Sequence, residues 1–247
     1  VLGVPLALTS YAQAVDWIDA AIAAGSREYV CVAATHTVVA CAEDPELRAA
    51  VLGASLTVPD GMPLVWALRA LGHPLPDRVY GPELMARACA RAAARGTPVF
   101  LYGGRDRWAL DRLVEALTVR FPGLEIAGTI QPRFRALSDA EAAAVAAEIN
   151  ASGAQVVWVG LGVPRQEAWM ARMRPLLEAP VLVGVGAAFD FHAGLVRQAP
   201  PLLQRLGLEW AFRLLMEPRR LWRRYAHHNP RFVVGFARQW WAARARP

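Results

Sequence analysis

Short, largely apolar runs alternate along the chain with longer segments in which apolar and polar positions mix at helical spacing. The runs Tyr29–Ala33, Ser55–Val58, Pro98–Tyr102, Leu124–Thr129, Gln155–Val159 and Val181–Val185 read as strands. Helices are expected over Val38–Leu52, Pro63–Leu71, Pro82–Arg95, Trp108–Arg120, Asp139–Ser152 and Pro164–Arg174. Two helix starts carry capping boxes, Ser10 with Gln13 and Ser138 with Glu141. Apolar strands separated by helices predict an α/β fold, with a mostly parallel sheet covered by helices on both faces. Beyond Pro200–Pro201 only helical segments remain. Residues 1–200 are therefore expected to form the body, and residues 201–247 a helical appendage.

With 247 residues, 55% apolar and 19% charged, the chain can bury one large core and is not of disordered composition. No run of about eighteen uncharged apolar residues suggests a transmembrane helix. No signal peptide is evident. Cys31, Cys41 and Cys89 lie in apolar contexts without metal-ligand spacing, and read as reduced core residues of a cytoplasmic protein. The formal net charge is +6, and every fixed side-chain cation is arginine. From Leu202 onward ten arginines face only Glu209 and Glu217, a net of about +8, which leaves the rest slightly acidic. Such asymmetry points to an anionic partner.

Open parallel sheets bind ligands at the carboxyl ends of their strands. There the sequence places Thr35 and Thr37, Asp60–Gly61, Gly103–Gly104, Gly160–Leu161–Gly162 and Gly184–Val185–Gly186. Glycines let a ligand approach the backbone, and they also serve turn geometry. Three such turns on one edge favour a nucleotide crevice. The stretch from Gly160 to Glu167 is the most telling. Pro164 suits the first turn of a helix, whose free N–H groups favour a phosphate. Arg165, Gln166 and Glu167 would then lie within reach of the ligand. Asp60 is a candidate general base or, equally, a helix N-cap. His36 shares the same edge. Asp190, between Phe189 and Phe191, reads better as a structural carboxylate than as a site residue. The chain has no Asp-x-Asp and no Gly-Lys-Ser/Thr. No metal or cofactor is expected, so arginines or backbone N–H groups would stabilise an anionic leaving group.

Arg213, Arg220 and Arg223 are spaced close to one helical face, unless Pro218 starts a new helix. Among them lie Trp210, Phe212, Trp222, Tyr225, Phe232, Phe236, Trp240 and Trp241. Arginine with tryptophan on amphipathic segments favours a membrane interface. Packing on the body is the plain alternative for these aromatics. The last residues, including Trp240, Trp241, Arg244 and Arg246, are expected to face an anionic bilayer.

Read together, these stretches resemble the WecG/TagA/CpsF glycosyltransferases. The likeness is carried by the Thr35 segment, Pro59–Asp60–Gly61, Arg78–Val79–Tyr80–Gly81, Val99 to Gly104, Gly160 to Glu167, Gly184 to Phe191, Gly207 to Leu214, and Glu217 to Arg220. The resemblance implies a Rossmann-like body and a C-terminal appendage that closes the site at the cytoplasmic face of the membrane. It implies inverting, metal-free transfer from a UDP-sugar to a sugar on a polyprenyl diphosphate. Asp60 would be the base, with Thr35 beside it. Gln166 would contact the nucleotide, and Arg78 would help assemble the site. Arg213, Arg220 and Arg223 would face the diphosphate. Three positions depart from the family pattern: Thr37 where Asn is usual, Glu83 for Asp, and Gln198 for Arg. Tail helices able to pack on a second copy allow a homo-oligomer.

Two other readings stay open on the residues alone. A Rossmann-type NAD(P)-dependent oxidoreductase would need Gly-x-Gly-x-x-Gly after the first strand, where Ala33–Ala34–Thr35–His36–Thr37 stands. A nucleic-acid-binding module could use the basic tail through base stacking. That reading leaves the glycine turns unexplained, and no nucleic-acid partner is expected.

Overall fold

A computed structural model describes residues 1–133 and 135–245; Arg246 lies outside the described residues. The six strands are β1 (Glu28–Ala33), β2 (Leu56–Pro59), β3 (Val99–Gly103), β4 (Ile126–Ile130), β5 (Val156–Gly160) and β6 (Val181–Gly184). They form one sheet in the order β2-β1-β6-β5-β3-β4, and every pairing is parallel. The inner strands are buried on both faces, which is why they read as continuous apolar runs.

The helices of the body are α1 (Tyr11–Ala24), α2 (Thr35–Glu43), α3 (Pro45–Leu52), α4 (Met62–Ala70), α5 (Gly81–Arg95), α6 (Arg107–Arg120), α7 (Asp139–Ala151), α8 (Arg165–Met173) and α9 (Ala188–His192). One core layer joins α1, α5, α6 and α9 to one face of the sheet through Ile18, Leu84, Leu110, Leu113 and Phe189. The second layer joins α2, α3, α7 and α8 to the other face through Val38, Leu47, Ile149 and Met170. Both expected capping boxes are present. The helix expected over Val38–Leu52 is two helices. Pro45 disfavours helical geometry at Asp44, and Asp44 instead caps α3, accepting from the N–H groups of Glu46 and Leu47. Pro164 stands one residue ahead of its expected place, as the residue preceding α8.

The chain after Pro200 forms α10 (Pro201–Arg205), α11 (Glu209–Met216) and α12 (Pro218–Arg244). Pro218 begins a new helix, so Arg213 lies on α11 while Arg220 and Arg223 lie on α12. The three do not share one helical face. α12 runs along α2. Its Leu221 is fully buried, and Phe232 joins the second core layer with Phe236 packed beside it. These aromatics are body packing, while Trp222 and Trp241 are exposed. Among the described residues, no helix is long and apolar enough to cross a membrane.

Candidate active site

The glycine turns after β3, β5 and β6 stand side by side at the carboxyl edge. The chain leaves β3 for α6 on one face and leaves the neighbouring β5 for α8 on the other. Such a divergence opens a crevice in a parallel sheet. Gly103 pairs in register with Gly160. A Cβ on Gly103 would meet the Gly160 carbonyl oxygen at 2.6 Å, and one on Gly160 would meet the Phe189 ring at 2.5 Å. Gly104 donates its N–H to the Gly160 carbonyl at 3.2 Å. Packing therefore accounts for Gly103 and Gly160, and positive φ angles of 91° and 51° account for Gly104 and Gly186. Gly162 differs. Its φ is 75°, and no atom lies within 4 Å of where its Cβ would be. Open space borders the backbone there.

Gln166 is buried, and its side chain is spent within the protein. Its Oε1 accepts from Gly186 N–H at 2.8 Å, and its Nε2 donates to Glu167 at 3.2 Å. The structure thus gives Gln166 the task of bracing one turn against the next. Glu167, expected within reach of a ligand, is instead fully buried. Burial pushes its carboxyl up to about 7.

Asp60 follows β2 and is not a helix cap. Gly61 precedes α4, and that helix start has no side-chain cap. Asp60 Oδ1 accepts instead from Gly81 N–H, the first residue of α5, at 3.2 Å. Burial pushes its carboxyl up to about 6, against the opposing pull of Arg78, the Gly81 N–H and Arg213; Glu209 adds to the rise. A carboxylate poised there can take a proton near neutral pH. Thr35, the first residue of α2, lies alongside, its Oγ1 3.8 Å from the Cβ position of Gly61. Thr37 is fully buried, and its hydroxyl accepts from Ala34 N–H at 3.3 Å. Its hydroxyl caps α2, so its departure from the family pattern falls on a structural contact.

Arg78 leaves the body to meet the appendage. Its guanidinium donates to Glu209 Oε2 and to Gln204 Oε1, both at 2.8 Å, and lies 4.3 Å from the centre of the Tyr80 ring. Gly207, between α10 and α11, packs under Trp66, where a Cβ would meet the indole at 2.5 Å. Arg213 sits 5.3 Å from the centre of the Phe191 ring, with its Nε buried and unpartnered. Arg220 pairs with Glu217 at 2.6 Å. Arg223 points outward over Trp222, while Arg224, one residue on, is half-buried. Burial and the nearby Arg213 and Arg220 lower the pKa of Arg224. The inward cations are therefore Arg213 and Arg224, while Arg220 is exposed beside them.

His36 packs edge-on to His228 of α12, with ring centres 6.1 Å apart. Burial, together with Arg224, His228 and Arg213, pushes it down to about 3, so it is a neutral packing residue. Asp190 forms a two-pronged pair with Arg105 at 3.1 and 2.8 Å, which ties the turn after β3 to α9. Glu83 pairs with Arg87 one helical turn away. Gln198 lines a cavity of about 240 Å³ with Phe191 and His192 of α9 and with Ala116, Leu117 and Arg120 of α6. Glu43, His227 and His228 bring ligand atoms within 4.8 Å of one another. Arg231 already holds both Glu43 and His227, however, so this group fastens α12 to α2.

Glu209, Gln204 and Arg224 escaped the sequence reading. Glu209 pairs with a residue 131 positions away, which no local spacing reveals. Arg224 had a signal, since it lies one helical turn beyond Arg220, at the spacing that shares a face.

The model of the glycosyl transferase WecG/TagA/CpsF family matches residues 1–246. Among curated proteins, the chain is similar to the N-acetylglucosaminyldiphosphoundecaprenol N-acetyl-beta-D-mannosaminyltransferase of Bacillus spizizenii. The two are 34% identical over 182 residues, covering 74% of this chain and 68% of the relative. A carboxylate at the carboxyl edge, a glycine-lined crevice and inward arginines suit transfer of a sugar from an anionic carrier, and the chain belongs to the WecG/TagA/CpsF family of glycosyl transferases.

Proposed function

We propose that this enzyme transfers a hexose-type sugar from a UDP-sugar to a sugar carried on a polyprenyl diphosphate, with inversion and without a metal. The supporting observation is Asp60, a half-buried carboxylate at the carboxyl edge of the sheet, raised to about 6 by burial against the pull of Arg78 and Arg213. The acceptor hydroxyl oxygen attacks the anomeric carbon as Asp60 takes the hydroxyl proton. The bond from that carbon to the diphosphate oxygen breaks, and UDP leaves with its electron pair. Arg213, Arg220 and Arg224 oppose the charge that develops on it, with N–H groups beside Gly162 available to a phosphate. β2 is three strands from β5, roughly 14 Å at the usual ~4.8 Å spacing. A nucleotide held in the β3–β5 crevice can direct its sugar towards Asp60 across that distance. The relative's name specifies a lipid-diphosphate-linked N-acetylglucosamine acceptor, and an acceptor of that class fits the same geometry.

The partner surface in this reading is the inner leaflet of a bilayer. Leu202, Leu206, Leu208, Leu215, Met216 and Trp222 are exposed around α10, α11 and the start of α12. Arg205, Arg219 and Arg223 lie among them in sequence. Apolar side chains flanked by arginine suit an interfacial position. The deciding experiment is a screen of UDP-sugars against lipid-diphosphate-linked acceptors with products read by mass spectrometry, in the presence and absence of EDTA. A UDP-sugar-dependent product of the opposite anomeric configuration, unaffected by chelation, is expected. No product from any UDP-sugar, or activity lost to EDTA and restored by Mg²⁺, overturns the reading.

A further inference from the structure

The appendage meets the body beside Asp60 through a nearly buried ion pair. The side chains of Arg78 and Glu209 are only 9% and 13% exposed. Burying two charges costs desolvation, and such a pair seldom holds a seam better than apolar contacts would. The seam already has the Trp66–Gly207 contact and the buried Leu221. Adhesion alone is a weak reason for this pair.

The neighbourhood of Asp60 supplies a stronger one. Arg78 and Arg213 attract its carboxylate, and Gly81 donates to it; Glu209 repels it. The Tyr11 and Tyr80 hydroxyls complete the surroundings from α1 and the loop before α5. An Arg78 with no other partner would pair with Asp60 and leave a tightly held, weakly basic carboxylate. Here both terminal nitrogens of Arg78 are engaged by Glu209 and Gln204.

We propose that Glu209 is a positioning residue for Asp60: by drawing Arg78 onto the docked appendage, it leaves Asp60 a working proton acceptor. The inference rests on the reading of Asp60 as the base. Docking of α10 and α11 then does more than cover the site, since it changes what the carboxylate beneath can do.

The test follows the Asp60 carboxyl by ¹³C NMR titration in the full chain, alongside the pH dependence of kcat/KM. Wild type, Glu209→Gln and Gln204→Glu are compared. Glu209→Gln is expected to move the Asp60 midpoint down by about one pH unit, with the acid limb of kcat/KM moving alongside. Gln204→Glu places a carboxylate on the same guanidinium and is expected to move both upward. Glu209→Asp is expected to bring both back towards wild type. A merely structural role for Glu209 would lower activity and leave the midpoint in place, which overturns the proposal. If Glu209→Gln does not fold, Gln204→Glu decides alone: an upward shift supports the coupling, and no shift overturns it. A midpoint that moves while the acid limb stays put overturns the reading of Asp60 as the base, and with it the catalytic role proposed for Glu209; an unmoved midpoint instead overturns the coupling itself.

Discussion

Gln166 and Gly186 are joined across two neighbouring turns, with the Gly186 N–H donating to Gln166 Oε1 at 2.8 Å. The bond depends on Gly184 below it, because a Cβ on Gly184 would meet Gln166 Nε2 at 2.5 Å. Gly184→Ala should therefore expel the amide and loosen the crevice. Donor affinity should fall about tenfold or more, as expected when a buried hydrogen bond is lost. Isothermal titration with UDP measures it, and unchanged affinity in a folded variant would show that the turns do not depend on this brace.

Asp60→Asn should reduce turnover by roughly 10²–10⁴ while leaving UDP binding intact. In the wild type, kcat/KM should fall as pH drops through about 6, where Asp60 takes up its proton. Near-normal turnover of a folded Asp60→Asn enzyme would remove the carboxylate from the mechanism.

The same carboxylate should cost stability. Burial holds its folded pKa at about 6, above the ordinary aspartate value, so near pH 5 the folded state holds a proton that the unfolded chain releases. Stability tied to this group is full below pH 4 and is lost as pH rises through about 6. Asp60→Asn should then unfold at a higher temperature than wild type at pH 7, the stability gap being on the order of 3 kcal/mol at most and closing below pH 4. Thermal melts across that range check the sign.

Arg224→Ala should lower turnover more than Arg223→Ala. Removing an inward cation from a developing diphosphate charge should cost about 10²–10³, by analogy with a lost oxyanion donor. Arg223 stacks outward on Trp222, and its loss should show mainly in vesicle binding. Equal rate losses on a soluble acceptor analogue would mean that the two arginines serve the site alike.

How far the tail can be trimmed follows from Phe232. This ring is buried in the body's second core layer, and Phe232→Ala should destabilise the whole protein by about 3–5 kcal/mol. Point changes at the surface are the better probe of membrane contact. Leu215→Glu and Trp222→Glu should weaken binding to anionic vesicles without lowering the melting temperature. Unchanged sedimentation with vesicles would reject these exposed apolar side chains as the contact.

The parallel sheet was legible because strands buried on both faces carry no polar alternation, and Val156–Gly160 or Val99–Gly103 cannot be mistaken for surface. The glycine turns at the carboxyl edge were legible because glycines and Asp60 collect where strands end. What escaped was rotation and distance. Whether Arg223 or Arg224 turns inward depends on where Pro218 starts α12 and how that helix lies on α2. Glu167 is an acidic residue, yet its place in α8 points it into the core. The break at Asp44 was written in Pro45 but masked by apolar residues continuing on both sides.

β2 is the outermost strand on its side of the sheet, and Asp60 stands at its end. A reactive group at such a margin can work on the tip of a molecule much larger than the protein's own cleft, because no further strand walls it in. An enzyme built this way grips one sugar and ignores the length of what trails behind. Acceptors carried on short or long hydrocarbon chains should be processed at similar rates once their head groups reach the same surface.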